Sequence, residues 1–170
     1  RVTKATIPGV EDTNAQYDNR GRLASISQGT GVDARTVTFT YRPDGYLDAV
    51  TDPLNREVSF EYDTAGRVTS QTLPGNRVIN FAYDANGNLL SLSPPGRPAH
   101  QFDYTAVDLQ SVYTPPSVNG GGTNQTLYTY NADRQLELVT RPDGKTIALG
   151  YDTAGRVQTQ TIERGQYGYA

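Results

Sequence analysis

The stretch "FEYDTAGRVTSQT" at positions 60–72 returns at 149–161 as "LGYDTAGRVQTQT". In each copy an alternating run of apolar and polar residues leads to a tyrosine, and four residues ending in glycine follow it. An alternation of period two predicts a strand with one apolar face. The segment that ends in glycine predicts a tight turn. Each copy therefore predicts a β-hairpin.

The tyrosine of this phrase recurs along the chain with gaps of 24, 21, 21, 21, 26 and 21 residues. Three copies read Tyr-Asp-x-x-Gly-Arg in full, and "YDANGN" at 83 keeps all but the last residue. A fixed period near 21 residues indicates a repeat architecture. We predict that residues 1–170 form a single array of about seven repeats, centred on Tyr17, Tyr41, Tyr62, Tyr83, Tyr104, Tyr130 and Tyr151.

Within a repeat, residues 63–66 suit a type I turn closed by a left-handed glycine and a G1 bulge. "RPDG" at 42–45 suits the same turn, and residues 52–55, 73–76 and 141–144 occupy the equivalent place between repeats. The second strand of each repeat is less regular, because apolar pairs such as Leu47 and Val50 are three residues apart. Either a bulge shifts the face of the strand, or both faces are partly covered.

These patterns predict an all-β fold, a continuous antiparallel meander of short hairpins with about fourteen strands that coils into a curved sheet. Seventeen Gly and 10 Pro leave no window with an unbroken helical period, so we expect almost no helix. A sheet of this kind has two unpaired edges unless more repeats continue it. We interpret the chain as an excerpt of a longer array, and expect the isolated chain to self-associate through its edge strands.

Composition excludes several classes of protein. The net charge is −3 with the signs interspersed, which argues against binding to nucleic acid. No apolar run approaches the ~20 residues of a membrane helix, so membrane insertion is not expected. Cysteine is absent, which rules out disulfides and thiolate metal sites.

The tyrosine-centred pattern resembles the RHS/YD-repeat family over essentially the whole chain. The segment 102–146, with its irregular longer unit near 104–129 and a loop at Gly120, Gly121 and Gly122, resembles the long unit of bacterial members. The resemblance implies a segment of a β-shell whose partners are further repeats of the same polypeptide and an enclosed C-terminal cargo domain. In bacterial members, which include polymorphic toxins, that cargo is a toxin, whereas similar shells in teneurins serve adhesion. It also implies a secreted or cell-surface protein of bacterial origin. The self-cleaving core segment of the family is missing, so the resemblance implies no autoproteolysis.

No residue pattern points to an enzyme or a cofactor. His100 is the only histidine and we expect it to be structural, at the start of a strand and in the register of Phe102 and Tyr104. No Gly-x-Ser-x-Gly segment accompanies it. "GKT" at 144–146 lacks the glycine spacing of a phosphate-binding loop. We predict no catalytic residue.

A metal site is not predicted either. "DANGN" at 84–88 resembles the opening of an EF-hand loop, but Leu89 and Pro95 stand where that loop needs glycine and glutamate. A looser calcium site between adjacent acidic turns remains an alternative. The preferred interpretation is that the turn aspartates accept hydrogen bonds from their own turn amides, at Asp18, Asp63, Asp84 and Asp152.

The twelve tyrosines are the unusual part of the composition. They fit a stacked ladder in which rings pack between strands and hydroxyls meet polar groups. The alternative is a surface that binds a glycan or a cell-surface protein, with Tyr41, Tyr62, Tyr83, Tyr104, Tyr130 and Tyr151 as the contacts. The first hypothesis for function is therefore a non-enzymatic structural segment that encloses and shields a toxin or other cargo polypeptide. The second is an aromatic-faced adhesion module.

Overall fold

A computed structural model describes residues 1–117 and 124–169 of the chain. Its elements are antiparallel strands, with a single 3-10 turn at Gly31–Asp33 and no α-helix among the described residues. Among these residues there is no helix whose length and apolarity would let it cross a membrane. The strands are β1 (Lys4–Ile7), β2 (Val10–Tyr17), β3 (Leu23–Gln28), β4 (Arg35–Tyr41), β5 (Leu47–Thr51), β6 (Glu57–Tyr62), β7 (Val68–Leu73), β8 (Arg77–Tyr83), β9 (Leu89–Ser93), β10 (His100–Tyr104), β11 (Gln110–Thr114), β12 (Thr126–Tyr130), β13 (Leu136–Thr140), β14 (Thr146–Tyr151), β15 (Val157–Ile162) and β16 (Gly165–Gly168).

The order of the strands in the sheet is their order in the chain, from β1 to β16. The predicted all-β antiparallel meander is confirmed, with sixteen strands in place of about fourteen because β1 and β16 add one at either end. The chain divides into two compact units, Arg1–Ile79 and Asn80–Ala170. Within each unit a strand pairs with its neighbours in sequence, so tight turns are enough to build it.

The first strand of each repeat shows the predicted alternation. In β4 the side chains of Val37, Phe39 and Tyr41 are half-buried, whereas Thr38 and Thr40 are exposed. Successive side chains of a strand point to opposite faces, so the apolar residues share the face that carries the tyrosines. We call this the tyrosine face.

A bulge explains the odd spacing in the second strand. Tyr41 pairs with Leu47 and Phe39 pairs with Val50, which leaves Asp48 as an extra residue in β5. Residues three apart in a regular strand point to opposite faces. The extra residue in the bulge lets Leu47 and Val50 both point to the tyrosine face. The same register shift lies between each of the seven tyrosines and the residue before it; the partners of these tyrosines are Leu23, Leu47, Val68, Leu89, Gln110, Leu136 and Val157. The second alternative holds for β5 as well, because Ala49 is buried although it pairs with Thr40 on the opposite face.

The turns inside the repeats follow the predicted geometry. The Gly66 N–H donates to the Asp63 carbonyl at 3.0 Å, the Asp63 N–H donates to the Arg67 carbonyl at 3.0 Å, and Gly66 has a φ of 80°. Where the repeat has lost its glycine the turn persists, because Asp108 (φ 61°) and Arg134 (φ 63°) adopt the same left-handed conformation. The hairpin geometry is therefore kept between repeats even where the turn sequence changes.

Two of the three predicted connections between repeats use this turn as well. Asn55 donates to the Asp52 carbonyl at 3.0 Å, and Gly144 donates to the Arg141 carbonyl at 2.9 Å. The connection at 73–76 differs, since Gly75 and Asn76 both have positive φ (80° and 56°), as in a two-residue type I′ hairpin. The predicted loop at Gly120, Gly121 and Gly122 lies outside the described residues.

A single layer of strands leaves the protein without a closed core. Ala49, 7% exposed, is the one buried apolar residue of the described chain. The accessible surface is 11668 Å², whereas a folded protein of 18.5 kDa is expected to expose about 8,200 Å². Stability must then come mainly from contacts between neighbouring hairpins.

Candidate functional site

Six of the tyrosines that end a first strand donate a hydrogen bond to a backbone carbonyl earlier in the chain. The Tyr62 hydroxyl donates to the backbone carbonyl of Leu47, the first residue of β5, at 2.8 Å. We call this bond the tyrosine clamp. It recurs at Tyr17 to Val2 (2.8 Å), Tyr41 to Leu23 (2.9 Å), Tyr104 to Leu89 (3.1 Å), Tyr130 to Gln110 (2.8 Å) and Tyr151 to Leu136 (2.8 Å).

Partial burial of the clamped rings also affects their ionisation. Burial raises the pKa of Tyr62, and the same cause raises the pKa of Tyr104 and of Tyr130. A raised pKa keeps the phenol protonated, which is the form that can donate to a carbonyl. The sequence predicted polar partners for these hydroxyls without identifying them. Donor and acceptor are 15 residues apart in the clamps of Tyr17, Tyr62, Tyr104 and Tyr151.

The aspartate after the tyrosine organises the turn, as the sequence predicts. The Asp63 Oδ1 atom accepts from the N–H groups of Ala65 (2.9 Å) and Arg67 (3.0 Å), while Oδ2 accepts from Arg67 Nε at 2.7 Å. The hydrogen bond from the Arg67 backbone is the main cause that lowers the pKa of this carboxyl. Turn amides are also bonded by the carboxylates of Asp18, Asp84 and Asp152.

The residue after the turn glycine covers the next tyrosine ring. The Arg22 guanidinium lies 4.3 Å from the centroid of the Tyr41 ring while its Nε donates to Asp18 at 2.7 Å. At the equivalent position of the following repeat, Tyr46 stacks on Tyr62 with ring centroids 4.9 Å apart. The conserved phrase therefore links two repeats, because the aspartate holds the arginine that packs on the neighbouring ring.

The six tyrosines proposed as ligand contacts all end strands and are half-buried. Five of their hydroxyls donate to main-chain carbonyls, at Tyr41, Tyr62, Tyr104, Tyr130 and Tyr151. The proton of each of these five hydroxyls is already donated, so a ligand would meet the hydroxyl oxygen as an acceptor only. Their role in binding stays a prediction.

His100 is the first residue of β10 and pairs with Leu92, on the tyrosine face, as the sequence predicts. Its Nδ1 lies 2.7 Å from the Tyr113 hydroxyl, and the two rings are nearly parallel, at 8°. The imidazole is thus part of an aromatic cluster. Across residues 1–117 and 124–169, no three His, Asp or Glu side chains are grouped so that they could hold a metal ion.

Over this cluster lies a shallow, open pocket of about 400 Å³ that the sequence analysis missed. Its lining comes from β9 to β12 and consists of Leu92, His100, Phe102, Gln110, Tyr113 and Tyr128. One sequence signal could have indicated it. Gln110 is the single amide at a position where the six other repeats have leucine or valine.

Comparison with known proteins agrees with the repeat pattern. The family model of the teneurin YD-shell matches residues 1–170. No curated protein sequence matches the chain.

Solved structures of toxin-complex proteins share the fold. A crystal structure of TcdB2-TccC3-TEV has a TM-score of 0.71 at 16% identity and covers 89% of this chain and 9% of that chain. The structure of the Tc holotoxin pore of Photorhabdus luminescens, with a mutated TccC3, has a TM-score of 0.68 at 13% identity. The match covers 95% of this chain and 11% of that chain. This chain thus spans about a tenth of the length of the proteins it resembles. With a family model that matches it from the first residue to the last, the chain belongs to the teneurin YD-shell family.

Proposed function

We propose that this chain is a non-enzymatic wall segment of a YD shell that encloses and shields a toxin or other cargo polypeptide. The observation that supports this best is the tyrosine clamp, in which Tyr41, Tyr62, Tyr104, Tyr130 and Tyr151 tie their hairpins to the preceding one at 2.8–3.1 Å. Such bonds let a sheet one strand thick hold together without a closed core. A wall needs that property, and an enzyme normally needs a packed scaffold around its site.

The large exposed surface supports the same function. In β4 the apolar residues of the tyrosine face are only half-buried, whereas the opposite face presents the exposed threonines Thr38 and Thr40. Uncovered apolar sheet surface is stabilised by contact with another polypeptide. A cargo chain and further repeats of the same polypeptide would provide that contact.

Several consequences accompany the proposal. The partners are further repeats and a C-terminal cargo domain, with no nucleic acid and no membrane insertion. The protein would be secreted or exposed at the cell surface of a bacterium, because a shell of this kind shields its cargo during delivery. The named relatives with this fold are toxin-complex assemblies, which supports a role in containment.

Protection of the cargo is the direct test. A site for a sequence-specific protease is placed in the polypeptide that follows the repeats in the full protein, and cleavage is followed with and without denaturant. We expect the native protein to resist cleavage and the denatured protein to be cut. As a control, the same site placed at the exposed turn beside Gly75 should be cut in both states. Equal cleavage of the cargo site in both states would contradict enclosure.

The partly exposed rings favour a second candidate function, an aromatic-faced module for a glycan or a cell-surface protein. Half-buried tyrosines give a large contact area with little loss of side-chain entropy. The test is a glycan array with the wild-type chain and with the Tyr62→Ala and Tyr83→Ala variants, whose folding is checked by circular dichroism. No binding across the array would refute the glycan form of this module.

A further inference from the structure

The pocket defined by Leu92, His100, Phe102, Gln110, Tyr113 and Tyr128 combines aromatic walls with polar atoms. Phe102 and Tyr113 are directly paired across β10 and β11, and their rings stack with centroids 5.4 Å apart. Tyr113 also stacks with His100, with ring centroids 5.9 Å apart. The three rings form one fixed aromatic wall, because each one restricts the next.

Polar groups of Gln110, Tyr128 and His100 complete the pocket. Within the described part of the chain, neither the Tyr128 hydroxyl nor the Gln110 side-chain amide makes a hydrogen bond. His100 uses Nδ1 toward Tyr113, which leaves Nε2 available whichever nitrogen carries the proton. The pocket thus offers an amide, a hydroxyl and an imidazole nitrogen beside the aromatic wall.

Gln110 and Tyr128 are departures from the repeat, and both add polarity at this place. Gln110 replaces a residue that is leucine or valine in the other six repeats, and Tyr128 occupies the register position of Phe39, Phe60 and Phe81. The tyrosine clamp is kept, since Tyr130 still donates to the Gln110 carbonyl at 2.8 Å. The bonding between neighbouring hairpins therefore does not depend on the Gln110 amide or the Tyr128 hydroxyl.

We propose that this pocket binds one neutral sugar ring. An aromatic wall suits the apolar face of a pyranose, and the amide, hydroxyl and imidazole suit its hydroxyl groups. An apolar peptide side chain would instead leave these polar groups dehydrated and unpaired, which is unfavourable. Among the described residues that line the pocket there is no carboxylate, lysine or arginine, so an uncharged ligand fits better than a uronate or a sugar phosphate. A volume of about 400 Å³ lies in the usual range for small-ligand sites.

This inference does not depend on cargo enclosure, and its pocket contains none of the six tyrosines named for the second candidate function. The binding experiment below uses no cargo, whereas the protection experiment uses no sugar. A negative result in the sugar-binding experiment therefore says nothing about cargo enclosure, and a negative result in the protection experiment says nothing about sugar binding.

The experiment is saturation-transfer NMR on the whole chain with the methyl pyranosides of glucose, galactose, mannose and N-acetylglucosamine as probes. We expect at least one probe to bind and methyl glucuronide to bind less. Gln110→Leu, which restores the residue of the other repeats, should weaken binding by about tenfold or more, as should Tyr128→Ala. Tyr46→Ala changes an exposed tyrosine outside the pocket and should leave binding unchanged.

Three results would overturn the proposal. They are no binding of any neutral pyranoside, unchanged binding in Gln110→Leu and Tyr128→Ala, or preferential binding of the peptide probe N-acetyl-tyrosine amide. The last result would assign the pocket to a protein segment. Circular dichroism of Gln110→Leu verifies that loss of binding is not loss of folding.

Discussion

At the scale of single residues, the tyrosine clamp and the left-handed turn residues decide how well each hairpin is held. The clamp gives a hydrogen-bond donor to a backbone carbonyl at the start of a strand, and the same bond fixes the orientation of the tyrosine ring. The turn requires a positive φ at one position, which glycine adopts freely and other residues adopt with strain. Both features can be tested by single substitutions.

Tyr62→Phe removes the hydroxyl and leaves the Leu47 carbonyl without its donor. We expect a loss of about 1 kcal/mol in the free energy of unfolding, measured by urea denaturation. Tyr128→Phe is the matched control, because the Tyr128 hydroxyl has no hydrogen-bond partner in the described structure. Equal stability of Tyr62→Phe and the wild type would refute a stabilising clamp.

Arg134→Gly should stabilise the protein. Arg134 is exposed and adopts a φ of 63° where other repeats have glycine. Relief of left-handed strain, which costs an L-residue roughly 1–2 kcal/mol, exceeds the added freedom of glycine in the unfolded chain. Thermal melting should show a rise for this variant and none for Arg97→Gly, since Arg97 lies outside the left-handed region. A lower melting temperature for Arg134→Gly would contradict the assignment.

At the scale of the element, the hairpin turn joins neighbouring repeats as well as two strands. Its aspartate binds the turn amides and the arginine, and the residue after the glycine packs on the next ring. Identical turn sequences can therefore differ in their sensitivity to mutation, because their neighbours differ. The two copies of "YDTAGR" make this comparison possible.

Gly66 and Gly155 have nearly the same φ, 80° and 78°, in the same local sequence. A Cβ at Gly66 would collide with the Tyr46 ring, with Cζ only 2.6 Å away, whereas a Cβ at Gly155 would meet the flexible end of Gln135 at 3.1 Å. We expect Gly155→Ala to cost about 1 kcal/mol and Gly66→Ala to cost about 1–2 kcal/mol more. Valine at either site should cost about 1 kcal/mol or more. Equal urea midpoints for the two alanine variants would show that Tyr46 moves aside freely.

Acid should weaken the aspartate turns. Because the backbone bond from Arg67 lowers the pKa of Asp63, this carboxylate stabilises the fold above the ordinary aspartate pKa of about 3.9. That stability is lost as the pH falls through the lower pKa of the folded protein. The Asp63→Asn/Arg67→Gln variant copies the uncharged turn of Asn131 and Gln135, whose side chains bond at 2.8 Å.

The double variant should therefore lose less stability than the wild type between pH 7 and pH 3, measured as the shift in urea midpoint. Glu57→Gln changes an exposed carboxylate that makes no hydrogen bond in the described part, and should retain the wild-type loss. A double variant as acid-sensitive as the wild type would refute the contribution of this turn.

At the scale of the whole molecule, the strand order has two ends. β1 and β16 each pair with one neighbour, so part of their backbone hydrogen-bonding groups lacks a partner strand. Unpaired edges favour pairing with another strand. The wall function makes use of the same property, because further repeats would add to such edges.

The isolated 170-residue chain should self-associate in a concentration-dependent way, which analytical ultracentrifugation can measure. Lysine on exposed edge positions, in an Ala5→Lys/Gln166→Lys variant, should shift the equilibrium toward the monomer because like charges oppose edge pairing. A strict monomer at high concentration for the unmodified chain would contradict the prediction.

The sequence by itself determined the hairpin, its turn and the repeat, because these depend on contacts between residues close in the chain. Alternation up to Tyr62, the glycine at position 66 and the period near 21 are all local signals. Only the tertiary structure decided which carbonyl each tyrosine binds, how the bulge beside Asp48 restores the face of β5, and how Gln110 and Tyr128 meet in one pocket. These features depend on register between strands, and a shift of one residue would reverse every face.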